Sequence, residues 1–94
     1  MEKFIRIPME VLNDENITSS AKLLLGVIIS FSNNDYHVAF ASNAKYARTL
    51  DLSARSITRL IKELKDQNYI FIRYDSYGTR RDISVNYSHE RLKQ

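Results

Sequence analysis

The residues of this chain best equipped for chemistry are cations rather than nucleophiles. Arg55, Arg59 and Lys62 recur at helical spacing within 54–67. At about 100° per residue they form one ridge, about 180° from the apolar stripe Ile57, Leu60, Ile61 and Leu64. Ser56 and Thr58 flank the ridge, and Ser53 precedes it. One face of the segment is thus core, and the other carries cations and small hydroxyls. That pattern suits a polyanion. An arginine fork can take O6 and N7 of guanine together, while Ser and Thr reach bases or phosphates. A solvated surface helix is the plainer explanation, and Glu63 and Asp66 fit it, because neither helps near phosphate.

Further cations sit where they could hold a nucleic-acid backbone. Arg80 and Arg81 lie at or just after a predicted hairpin tip, beside Tyr77 and Thr79, with Arg73 on the outgoing strand. A basic tip of this kind can follow phosphates or enter a minor groove. Lys45 and Arg48 lie exposed on the preceding helix, and Ser42 and Asn43 stand at its N-terminus, where free N–H groups attract anions. The formal charge of the 94 residues is only +3. It divides unevenly: residues 1–41 carry three cations against five acids, and residues 42–94 eleven against six. The asymmetry points to a polyanionic partner for the second half.

Other chemistries are poorly represented. There is no cysteine, which excludes disulfides, thiolate metal sites and cysteine nucleophiles. His37 and His89 are far apart and lack convergent carboxylate motifs, and no phosphate-binding Gly-rich loop exists. No catalytic residue, metal or cofactor is therefore expected, and the chain is not expected to be an enzyme. The apolar run from Leu23 to Ile29, broken by Gly26, falls short of the roughly 20 residues of a membrane helix. No signal-like segment follows Met1, so a cytoplasmic location without a membrane partner is expected. Six tyrosines raise the idea of base stacking. Four of them, Tyr69, Tyr74, Tyr77 and Tyr87, fall in the hairpin region, where packing is the cheaper explanation for most.

The elements that must position these residues follow from patterning. Lys3 to Ile7 alternate weakly and stop at Pro8, which predicts a short edge strand. Residues 9–17 form a connection with one helical turn. Thr18 or Ser19 caps a helix from about Ser20, with Leu23, Leu24, Val27, Ile28 and Phe31 in one wide stripe. Val38 to Phe40 suggest a short strand. Ser42 caps a helix over 43–50, with Tyr46, Ala47 and Leu50 inward. Asp51-Leu52 make a tight turn, Ser53 caps the helix at 54–67, and Asn68 closes it in a left-handed conformation. Residues 69–74 and 81–87 pair as a hairpin about Gly78. The fold class is α+β, a winged helix-turn-helix of three helices, a C-terminal β-hairpin wing and a short N-terminal strand. The domain spans 1–87, and 88–94 form a polar tail, frayed or partly helical.

These residues resemble a known family. Phe4, Ile7 and Pro8, Ser19 with Ala21 to Leu25, and Ser42-Asn43 match its pattern. So do Ala47, Leu50, Ser53, Ile57, Arg59, Leu60 and Leu64. The chain is similar over about 4–87 to the winged-helix domain that begins Gram-positive plasmid and phage replication initiators, and to DnaD-like replisome organisers. It departs from them at Asp51 and Asn68, where glycine is usual. The resemblance implies origin recognition on double-stranded DNA, with replication proteins as further partners. A small transcriptional regulator of the same fold and an assembly module without DNA binding are the alternatives. Homodimerisation on paired half-sites is a further expectation.

Overall fold

The computed structural model describes residues 4–78 and 80–93, so Thr79 and Lys3 lie outside the described residues. Six elements follow in order: helices α1 (Met9–Leu12), α2 (Ser19–Phe31), α3 (Asn43–Leu50) and α4 (Ala54–Asp66), then strands β1 (Ile70–Tyr74) and β2 (Arg81–Val85). The strands pair antiparallel, with Ile72 opposite Ile83 and Tyr74 opposite Arg81. The chain is an α+β winged helix-turn-helix.

Each main helix begins on a hydroxyl cap. Thr18 Oγ1 accepts from the Ala21 N–H, Ser42 Oγ from Lys45, and Ser53 Oγ from Ser56, at 3.1–3.3 Å. Each cap satisfies an N–H that the first helical turn cannot pair internally. The turn between α3 and α4 is closed by Asp51 in the left-handed region (φ 55°), and the exit from α4 by Asn68 (φ 65°). Asp and Asn tolerate this conformation better than other non-glycine residues. His37, in the loop before α3, adopts it too; no sequence signal pointed to that.

The core lies where α2, α3 and α4 meet the inner face of the hairpin. Ile57, Leu60, Ile61 and Leu64 are buried, as their spacing predicts, against Leu24, Leu25 and Ile28 of α2 and Ile70, Ile83 and Val85 of the hairpin. Tyr46 is fully buried and stacks on Phe31 with ring centroids 5.6 Å apart. Leu23 departs from the predicted stripe and is 47% exposed. The buried arc of α2 is centred on Leu24, Leu25 and Ile28, which turns Leu23 to the rim.

Two predicted strands are reduced. Phe4 to Ile7 form no strand. The arm packs its isoleucines onto α2 instead: a Cβ on Gly26 would stand 2.9 Å from Ile7 Cγ1 and 3.0 Å from Ile5 Cδ1. Side-chain seating on a helix replaces a ladder, and Pro8 removes a donor and starts the single turn α1. Val38 to Phe40 contribute one bridge, Ala39 to Ile83, with both hydrogen bonds formed at 2.8 and 3.0 Å. The segment 88–93 turns back onto the body rather than fraying. Leu92 is buried, and the His89 ring stacks on Tyr69 at 3.9 Å.

Candidate nucleic-acid interface

The outer face of α4 carries the predicted ridge. Arg55, Thr58, Arg59 and Lys62 are exposed and Ser56 is half-buried. Arg55 and Arg59 make no side-chain hydrogen bond or ion pair among the described residues, so both guanidinium groups are free to meet a partner. Lys62 is different: its Nζ is 2.7 Å from Asp66 Oδ2, one turn on. The acids that argued against a phosphate partner are both committed. Asp66 is held by Lys62, and Glu63 reaches back to α2, where it accepts from the Thr18 N–H and hydroxyl. The N-terminal half of α4 is thus openly basic and its C-terminal half is neutralised.

The small polar residues of the predicted surface are largely joined to one another. Ser53 and Ser56 share a hydroxyl hydrogen bond of 3.0 Å within the cap. Thr58 Oγ1 donates to the Ala54 carbonyl and accepts from Asn43 Nδ2 at 3.1 Å. Asn43 Oδ1 in turn accepts from Arg81 Nη1 at 2.5 Å, and Arg81 Nη2 donates to the Ala41 carbonyl at 2.9 Å. One chain of hydrogen bonds therefore ties α4, the start of α3 and β2. Arg81 belongs to this brace and is half-buried, not an open cation at the tip. Its charge acts on Tyr46 beneath it. Burial pushes the Tyr46 hydroxyl up to about 12, and Arg81 partly offsets that rise.

The wing places its other cations outward. Arg73 and Arg80 flank a single carboxylate, Asp82, at 3.7 and 3.4 Å. The Arg80 guanidinium also lies 5.1 Å from the centroid of the Phe40 ring. Tyr77, at the tip, is 89% exposed. Lys45 and Arg48 are exposed on α3 and without side-chain partners among the described residues. Thr79, assigned to the same surface from sequence, lies outside the described residues. Phe40, given no site role from sequence, and Tyr74, weighed there for base stacking with packing as the cheaper explanation, line a cleft of about 310 Å³ between the wing and the start of α3, with Arg80 and Arg81. Tyr74 shares the inward phase of Ile70 and Ile72 along β1, which suggested core packing. It sits beyond the end of the core, and only that placement exposes it.

A family model described as a helix-turn-helix domain matches residues 15–70. The chain belongs to the helix-turn-helix domain family. The match covers α2, α3, the Asp51 turn and α4, and ends at the first residue of β1. Neither the curated proteins nor the solved structures compared give a match. A helix-turn-helix is a DNA-binding unit whose second helix enters the major groove. In this domain the second helix of the pair is α4, whose first turns carry the free arginines. Among the described residues, no helix is long and apolar enough to cross a membrane, and no group of three His, Asp or Glu residues could hold a metal ion.

Proposed function

We propose that this helix-turn-helix domain is a non-enzymatic, sequence-specific reader of double-stranded DNA, working in the cytoplasm in origin recognition during plasmid or phage replication initiation. The observation that carries the DNA reading is the unpartnered pair Arg55 and Arg59 on the outward face of α4, with both neighbouring acids engaged elsewhere. In this reading α4 lies in the major groove, and Arg55 and Arg59 take guanine edges, with Ser56 and Thr58 beside them. Lys62, paired to Asp66, reaches a phosphate at the groove's edge. Ser53, Ser42, Asn43, Lys45 and Arg48 hold the flanking backbone, and Arg73, Tyr77, Arg80 and Arg81 follow it along the wing. Replication is supported by the resemblance at Phe4, Ile7, Pro8, Ser42 and Asn43. Replication proteins and a second copy on paired half-sites are the partners this implies.

The test is a salt-dependent titration against duplexes selected from a random library. Arg55→Ala/Arg59→Ala is expected to weaken binding by roughly tenfold or more, from about 1–3 kcal/mol per bidentate pair. The log–log salt slope should be clearly negative, about 0.9 per phosphate neutralised. A flat slope, or affinity that ignores both arginines, would sink the reading. Selected sites arranged as repeated arrays favour an origin, whereas single operators favour a transcriptional regulator. Sedimentation showing only monomer on a two-site duplex would count against dimerisation. The exposed Phe4 and Phe71, each 57% accessible, favour an assembly module as the rival, and a failed titration would leave that reading in place.

A further inference from the structure

The tyrosines divide sharply by environment. Tyr46 and Tyr69 are fully buried, whereas Tyr36, Tyr74, Tyr77 and Tyr87 are 76, 61, 89 and 59% exposed. Packing therefore accounts for two of the six. Of the exposed four, Tyr36 and Tyr74 adjoin one place, the cleft between the wing and the segment that enters α3. Phe40 and Tyr74 line it, and Ala41 to Asn43 and Arg80 and Arg81 complete it. Tyr36 meets the Phe40 ring edge-on at 6.0 Å, and the Arg80 guanidinium lies over that ring at 5.1 Å. Its volume of about 310 Å³ falls at the lower end of the range for small-ligand pockets, roughly 300–1,000 Å³.

The chemistry of this lining is selective. Aromatic faces and a planar guanidinium attract flat π-systems, and the two arginines favour a negative charge beside them. Arg80 shares the Asp82 carboxylate with Arg73, and Arg81 bonds only to neutral groups, the Asn43 amide and the Ala41 carbonyl. A flat ring joined to a phosphate is a nucleotide. In a duplex both faces of a base are covered by its neighbours, so a paired base cannot enter. We propose that this cleft holds an unpaired nucleotide of a DNA strand, its base stacked against Tyr74 and the Phe40–Arg80 pair and its phosphate on Arg80, with the charge of the braced Arg81 behind it. The surface is continuous with the duplex-binding face, through the hydrogen bonds from Arg81 to Asn43 and from Asn43 to Thr58 of α4. The domain thereby has a place for a strand that has left the helix. The inference rests on the proposed DNA reading only for the position of the neighbouring duplex.

The full chain is titrated by fluorescence anisotropy with labelled oligothymidylate about 12 nucleotides long, within the site sizes usual for single-strand binders. A closed hairpin duplex and thymidine monophosphate form the other arms. Phe40→Leu and Tyr74→Leu alter exposed side chains, and thermal melts establish that both variants fold. Each is expected to weaken oligothymidylate binding about five- to a hundredfold, the effect of losing one stacked base, and to leave duplex affinity unchanged. Arg55→Ala/Arg59→Ala should show the reverse pattern. Oligothymidylate binding that is absent, or indifferent to both leucine variants, overturns the proposal. So does an equal loss on the closed duplex, which would make the cleft part of duplex binding. Monophosphate binding as tight as the oligonucleotide would also overturn it, because the cleft would then serve a free nucleotide. If the arginine variants keep full duplex affinity while the cleft results hold, only the reading of α4 fails.

Discussion

At the scale of single residues, the two buried tyrosines make opposite predictions. The Tyr69 hydroxyl donates to Asp14 Oδ2 at 2.6 Å, across 55 positions of sequence. The Tyr46 hydroxyl is buried with no hydrogen-bond partner among the described residues. Leaving a buried polar group unmet costs about 1–3 kcal/mol, and removing it with its ring retained can be neutral or stabilising. Tyr46→Phe keeps the stack on Phe31 and is expected to hold or raise the urea midpoint. Tyr69→Phe strips Asp14 of a donor and should lower stability by about 1–3 kcal/mol. A clear loss in Tyr46→Phe would show that its hydroxyl is satisfied. The sequence marks both as tyrosines near a core, and nothing in their spacing says which hydroxyl finds a partner.

At the scale of elements, α4 does two tasks with one outer face. Its first turns present Arg55 and Arg59, and its third turn anchors α2 through Glu63. Because Glu63 accepts from both the N–H and the hydroxyl of Thr18, it secures the residue that caps α2. Charge alone predicts that neutralising an acid on this helix tightens DNA binding. The contacts predict something else: Glu63→Ala should destabilise the fold by about 1 kcal/mol, the usual cost of a lost cap interaction. Duplex affinity measured well below the melting temperature should change little. Denaturation and titration of the same variant separate the two outcomes. A large gain in affinity with unchanged stability would return Glu63 to the role of a repelling charge.

The hairpin illustrates what strand patterning omits. Alternation correctly aligns Ile70, Ile72, Ile83 and Val85 on one face. The same phase carries Tyr74 and Arg81 to that face too, but at the open end of the hairpin. There Arg81 braces Asn43 and Ala41 while Tyr74 stays accessible. Period two tells which face a side chain takes; it does not tell how far the core extends beneath it.

At the scale of the whole molecule, the two ends of the described chain are joined through Asp14. This carboxylate is buried, accepts from Tyr69 and from the Asn16 N–H, and lies 3.6 Å from Arg91 Nε. Arg91 also donates to the Glu10 carbonyl, and its own N–H donates to His89 Nδ1. That leaves His89 Nε2 as the protonated nitrogen facing the Gln67 carbonyl at 3.0 Å. Burial alone raises the pKa of Asp14, but the hydrogen bonds from Tyr69 and Asn16 and the charge of Arg91 outweigh it and hold the carboxyl below its ordinary value. The unfolded chain then binds more protons over that interval, so Asp14 stabilises the fold above about pH 4 and the contribution is lost as pH falls through the native value. Acid titration of stability by circular dichroism should show this loss. Asp14→Asn should be weaker near neutrality and flatter in acid. An acid limb identical in both proteins would exclude Asp14 as its source.

The sequence by itself determined the helices, their hydroxyl caps, the left-handed residues Asp51 and Asn68, and the basic ridge opposite the α4 stripe. These are local properties: period, cap chemistry and φ preference act within a few residues. Tertiary structure alone decided which cations are free. Arg55 and Arg59 remain open, Arg81 becomes a brace, and Glu63 turns from a repelling charge into an anchor, because the partners of the last two lie 38 to 45 positions away. It decided too that Ile5 and Ile7 seat on Gly26 rather than pair as a strand, and that the segment around Leu92 docks on the body. Partners distant in sequence are chosen by how the helices pack, and no periodicity encodes that choice.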